Sequence, residues 1–248
     1  MKPNHLLLLL SGLLAFFSPL PAGAVSTALT AQEIVKRADD VRGPDGSFSF
    51  NVRVKDFQGG TLTRENIYKV YSKGPKATLV ETVFPERLSG RKLLMAGALW
   101  LYLPTIKRPT RVGLQQRLTG EVANGDIARA RFSGDYSAKL EGKENIRGKP
   151  YYRLSLTAQD KTLPYRNIRM WVGEKDFVTL KADFFALSGK KLKTGEYSEM
   201  ENILGKPRLT KLLIKDAVQP SRQSQLKYYN YRRENLNDSM FNKESLAD

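Results

Sequence analysis

The chain has 248 residues, no cysteine, one histidine (His5) and a formal net charge of +16 at pH 7. Without cysteine there are no disulfides, thiol nucleophiles or thiolate metal sites. With its one histidine at the extreme start, the rest of the chain cannot build a Ser-His-Asp triad or a histidine-based metal centre, so the expectation is a non-enzyme with no catalytic residues, metal or cofactor.

The first 24 residues read as an export signal. Lys2 gives a positive start, residues 6–17 are apolar except for Ser11 and Gly12, and Ala-Gly-Ala at 22–24 supplies a small-x-small cleavage pattern. The run is shorter than the roughly 20 apolar residues that span a bilayer. No cysteine follows to carry a lipid anchor. The expected product is a periplasmic protein cut after Ala24, with residues 1–24 as signal and 25–248 as one domain. Export redirects the positive charge from nucleic acid toward anionic membrane surfaces and acidic partners. A generally basic, soluble surface accounts for the same charge.

Thr-Ala-Gln-Glu at 30–33 is a capping box, and Ile34, Val35, Ala38 and Val41 follow at helical spacing until Gly-Pro-Asp-Gly at 43–46 ends the helix. From Ser47 the period becomes two: Phe48, Phe50, Val52 and Val54 share one face, with Ser49, Asn51, Arg53 and Lys55 on the other. Gly59-Gly60 turns this strand into a second run at 61–71, and a third at 77–84 stops at Pro85. Further strands are predicted at 92–95, 98–103, 109–112, 138–145, 151–158, 165–172, 177–187, 191–199, 208–215 and 223–231. Residues 98–103 are apolar on both faces, which requires cover on each. Residues 113–134 break the rhythm; 126–131 have the composition for about two turns of helix, and the segment reads as a lid between two halves of a sheet. The class is mainly β (α+β by strict count): a strongly curved antiparallel sheet or half-open β-barrel with an N-terminal helix and a helical lid.

Phosphate-loop, dinucleotide and Gly-x-Ser-x-Gly patterns are absent from the sequence. Glu121, Asp126 and Asp135 fall in one loop region, and paired carboxylates hydrolyse glycosides without histidine, yet nothing in the sequence fixes their separation. Lys-Tyr-Tyr-Asn-Tyr-Arg-Arg at 227–233 mixes bases and aromatics as single-strand nucleic-acid platforms do; an edge strand with outward cations explains it with less machinery. The apolar faces are the stronger lead. Trp100, Leu154, Leu156, Met170, Val172, Leu180 and Phe184 are candidates to line an apolar groove, although ordinary core packing explains each alone.

Leu-Trp-Leu-Tyr-Leu-Pro at 99–104, followed by Lys-Arg-Pro-Thr-Arg-Val at 107–112, resembles the LolA-like family of outer-membrane lipoprotein-sorting proteins, in its broad and poorly characterised branch. Leu118-Thr119-Gly120, Asp126-Ile127, Asp135-Tyr136, Trp171-Val172, Gly205-Lys206-Pro207 and a tail with Asp238, Phe241 and Leu246 fall in the order of that family. The resemblance implies a half-open barrel whose apolar interior accommodates acyl chains of lipids or lipoproteins and ferries them toward the outer membrane. It also implies a possible RND-type transporter partner, and so an alternative: a non-catalytic accessory subunit that docks on such a transporter. An Ala-Asn-Gly insertion at 123–125 departs from the family's Ser- and Asp-rich pattern.

Overall fold

The computed structural model describes residues 29–74, 77–128 and 131–247. The export segment expected over residues 1–24, and positions 129 and 130 of the expected lid helix, lie outside them. Helix α1 (Ala31–Arg42) begins at the capping box. The Thr30 hydroxyl accepts from the Glu33 N–H at 3.2 Å and the Glu33 carboxylate accepts from the Thr30 N–H at 2.8 Å, so both halves form.

The first six strands are β1 (Ser47–Gln58), β2 (Thr61–Lys73), β3 (Ala77–Phe84), β4 (Lys92–Ala96), β5 (Ala98–Tyr102) and β6 (Thr110–Arg111). A small hairpin, β7 (Arg117–Thr119) and β8 (Val122–Ala123), leads into helix α2 (Asn124–Ala128). Then come β9 (Tyr136–Ile146), β10 (Lys149–Ala158), β11 (Asn167–Gly173), β12 (Thr179–Phe185), β13 (Lys191–Ile203), β14 (Lys206–Asp216) and β15 (Arg222–Arg233).

All but the small hairpin form one antiparallel sheet of 13 strands, ordered β6-β5-β4-β3-β2-β1-β15-β14-β13-β12-β11-β10-β9. It is a long meander in which β1 pairs with β15, bringing both chain halves together at its middle. The sheet curves without closing, so β6 and β9 remain edges. Register shifts at Ser49/Asn51 and Asp56/Phe57 bend the long central strands, because an extra residue on one side of a pair kinks it and increases its twist.

Two covers divide the inner face. Helix α1 seats Ile34, Val35 and Ala38 against Leu154, Leu156 and Met170 of β10 and β11. Leu114, Val122, Ile127 and Ala128 of the lid seat against Val52, Val54 and Val70 of β1 and β2. Tyr197 on β13 touches both clusters. The two-sided apolarity of β5 has cover on each side: Leu99 joins the lid cluster, while Trp100 and Tyr102 meet Leu236, Phe241 and Leu246 of the C-terminal tail.

The lid differs from its expected form. Its helix starts at Asn124, with Asp126 in the first turn, because the Asp126 carboxylate reaches back to accept from the Ala123 N–H at 2.8 Å. Further on, the Phe132 and Ser133 N–H groups donate to Asp39 of α1 at 3.0 and 2.6 Å, which ties the end of the lid to that helix.

Candidate functional site

Between α1, the lid and the middle of the sheet lies a cavity of about 400 Å³. Cavities of ~300–1,000 Å³ are the usual size for small-ligand sites. One wall is aromatic: the Phe50 ring stacks on Tyr231 with centroids 4.9 Å apart, Phe48 lies 5.8 Å from Phe50, and Tyr228 lies 6.2 Å from Phe50.

The local geometry of β15 builds this wall. Ser49 pairs with Arg232 and Asn51 with Tyr229, so β15 takes three steps where β1 takes two. The surplus residue is Asn230, in the left-handed region at φ 56. Strand side chains alternate, so residues three apart normally face opposite ways; the bulge resets the alternation, and Tyr228 and Tyr231 both line the cavity. The edge-strand reading of 227–233 is therefore corrected. β15 lies between β1 and β14, and its Tyr228 and Tyr231 belong to the interior. Asparagine tolerates the left-handed conformation where β-branched residues do not. Asn230→Gly is expected to leave the urea midpoint nearly unchanged, and Asn230→Val to lower stability by about 1–2 kcal/mol.

Phe132, Tyr136, Tyr165 and Phe184 form the facing wall, with Tyr165 and Phe184 centroids 4.6 Å apart. Two polar clusters are set into the lining. In the first, Asp39 is 1% exposed and ion-paired with Arg42, whose guanidinium sits 4.0 Å over the Phe132 ring and donates to the Tyr197 hydroxyl at 3.4 Å. Burial opposes the Arg42 charge, but Asp39 and Tyr197 outweigh it and hold its pKa above the ordinary value.

In the second cluster, the Asp126 carboxylate accepts from the Tyr165 hydroxyl at 2.7 Å and from the Lys193 ammonium, which also donates to the Glu121 carbonyl at 3.0 Å. Burial, reinforced by the Asp126 charge, pushes Tyr165 well above the usual phenol range; burial does the same for Tyr228 and raises Tyr197. These three phenols stay neutral and turn ring faces toward the cavity. The three loop carboxylates do not converge on the cavity as a catalytic set. Asp126 is bonded on three sides, and Glu121 is paired with Arg222 at 2.8 Å and lies outside the described lining.

Of the residues singled out in the sequence, Phe184 lines this cavity. Leu154, Leu156, Met170 and Val172 are fully buried in the packing beneath α1. Leu180 is half-buried on β12. Trp100 packs with the C-terminal tail, with the Lys243 ammonium 5.0 Å from its ring. Sequence reasoning missed Phe50, Tyr228 and Tyr231 as partners. Their one local sign was an asparagine between two tyrosines three apart.

A family model described only as an uncharacterized protein matches residues 74–248. No curated protein matches the chain. Among solved structures, a LolA-superfamily protein from Nitrosomonas europaea is 39% identical, covers 88% of this chain and 100% of its own, and superposes with a TM-score of 0.84. A DUF1329-family protein from Desulfovibrio piger is 22% identical, with coverage of 87% and 97% and a TM-score of 0.75. A domain assigned to outer-membrane lipoprotein sorting, from Vibrio parahaemolyticus, is 19% identical, with coverage of 88% and 98% and a TM-score of 0.73. The last two show the shared fold. The open bent sheet, its helix and lid, and 39% identity along the whole Nitrosomonas protein together place this chain in the LolA superfamily.

Proposed function

We propose that this protein is an exported, non-catalytic carrier that shields acyl chains of a lipid or lipoprotein in the cavity between α1 and the lid and delivers them toward the outer membrane. The observation that carries this reading is the cavity itself: about 400 Å³ of space walled by Phe50, Tyr228, Tyr231, Phe184, Leu212 and Ile214. Each methylene moved from water into such a site gains roughly 0.8 kcal/mol, so binding needs no covalent step. The assignment of the Vibrio domain, which has the same fold, to lipoprotein sorting supports it. The excess of cations gives the loaded protein an attraction to anionic membrane surfaces.

The test is native mass spectrometry of protein purified from the periplasm, lipid extraction, and titration with a fluorescent fatty acid. Ser72 is half-buried and lines the cavity, so Ser72→Trp fills space while removing little packing. It is expected to weaken probe binding at least about tenfold, roughly 1.4 kcal/mol, with the urea midpoint nearly unchanged. Wild-type protein that carries no lipid and binds no probe would overturn the carrier reading, leaving docking on a membrane transporter as the surviving alternative.

A further inference from the structure

A second cavity, of about 640 Å³, lies among β2, β3, β4, β5 and the small lid hairpin. It touches helix α2 at Asn124, whereas Gly125, Asp126, Ile127 and Ala128 face the aromatic-walled cavity. Its chemistry is different. Arg64, Arg87, Arg91, Lys92 and Arg117 line it, and no carboxylate does so among the described residues.

Carboxylate partners are scarce around these cations. Arg64, Arg87 and Arg91 make no ion pair among the described residues, and Arg117 reaches Glu121 only at 4.0 Å, a carboxylate already held by Arg222 at 2.8 Å. Like charges crowd one another in a recess unless an anion joins them. Val80, Leu93, Leu101 and Leu118 add apolar surface to the same lining. Arginine forks match phosphate oxygens in bidentate geometry, and apolar lining suits hydrocarbon attached to the same phosphate.

We propose that this recess is an anion site that takes a phosphate ester, either the head group of an anionic phospholipid or a free phosphate monoester. The site stands independently of whether the aromatic-walled cavity carries acyl chains.

Calorimetric titration of the exported protein with dihexanoyl phosphatidylglycerol, and separately with glycerol 3-phosphate, tests it at low and high salt. Binding is expected to weaken as salt rises, as it must for solvent-accessible charges. Arg64 and Arg91 are exposed, so Arg64→Ser combined with Arg91→Ser should leave the fold and the fatty-acid titration unchanged while weakening anion binding at least about tenfold, ~1.4 kcal/mol. Arg87→Ser, in the exposed turn Glu86–Leu88, gives a second variant if the first proves unstable. Saturation by glycerol 3-phosphate supports the site with free phosphate esters as its ligand; binding of the phospholipid alone supports it with a lipid head group. Failure of both anions to bind, or phospholipid affinity retained in the arginine variants, would overturn the proposal.

Discussion

Lys193→Met is expected to lower the free energy of unfolding by about 3–5 kcal/mol in urea titration, because it leaves a carboxylate buried without its cation. Lys193 and Asp126 side chains are 7% and 8% exposed, so water cannot take over the solvation of the orphaned charge. The lid feels the loss directly. Asp126 sits in α2, and the same ammonium donates to the Glu121 carbonyl, so one side chain on β13 holds both ends of the segment between β7 and α2. Adding Asp126→Asn to the Lys193→Met background removes the stranded charge and is expected to recover part of the deficit. A single-variant loss below about 1 kcal/mol would mean that the pair is solvated and does not fasten the lid.

Gly120→Ala is expected to cost at least about 3 kcal/mol, combining roughly 1–2 kcal/mol for a left-handed non-glycine residue with disruption of hydrogen bonds to a buried charge. Gly120 has φ +46, and a Cβ built there overlaps the Asp56 carboxylate and the Ser224 hydroxyl. Those groups are the centre of a network. Asp56, 5% exposed, accepts from Thr119 and Ser224 hydroxyls at 2.6 Å each; Ser224 accepts from the Glu121 N–H at 2.8 Å; and Asn66 donates to Thr119 at 3.0 Å. Contacts from β1, β2, β15 and the lid hairpin meet there, so no member can retreat without unsatisfying another. Asp56→Ala removes the nearer of the two clashing groups and frees the Ser224 hydroxyl to turn away, and the double variant should therefore be less destabilised than the two single losses added together. Additive losses would show that the clash is relieved elsewhere.

What the sequence disclosed and what it withheld follow from the range of the interactions. The capping box of α1 and the alternation of β1 are local, and both were legible. So was the double-sided character of β5, because a strand apolar at successive positions has to be covered twice. The cavity was not legible, since its walls come from α1, β1, β2, β3, β9, β12, β13, β14, β15 and the lid, and only folding juxtaposes them. The apolar alternation of β10 and β11 pointed to the groove, yet those residues meet α1 and become solid packing. Asn230 resets the face of everything after it, and a reading in strict period two puts Tyr231 outside. Asp56 did leave a trace: it continues the inward series of Val52 and Val54 with a carboxylate, and its partners lie 63 and 168 positions away.

A sheet that curves without closing keeps two rows of backbone groups able to recruit another chain, and both are blunted here. β6 is two residues long, too short to template a partner. At the far edge, the Gln32 side chain donates to the Tyr136 carbonyl at 3.1 Å and accepts from the Ala138 N–H at 3.1 Å, as the peptide group of a neighbouring strand would. The first rung of β9 is thus already occupied by its own helix. Further along, Lys139, Glu141, Lys143 and Glu144 put charge on the strand, and Gly142, at φ +148 beside the register shift opposite Arg153 and Leu154, kinks it. An intruding strand would have to displace an amide, bury charges and follow a bend. The architecture keeps its interior accessible to a ligand while resisting fibril-like addition at its rim.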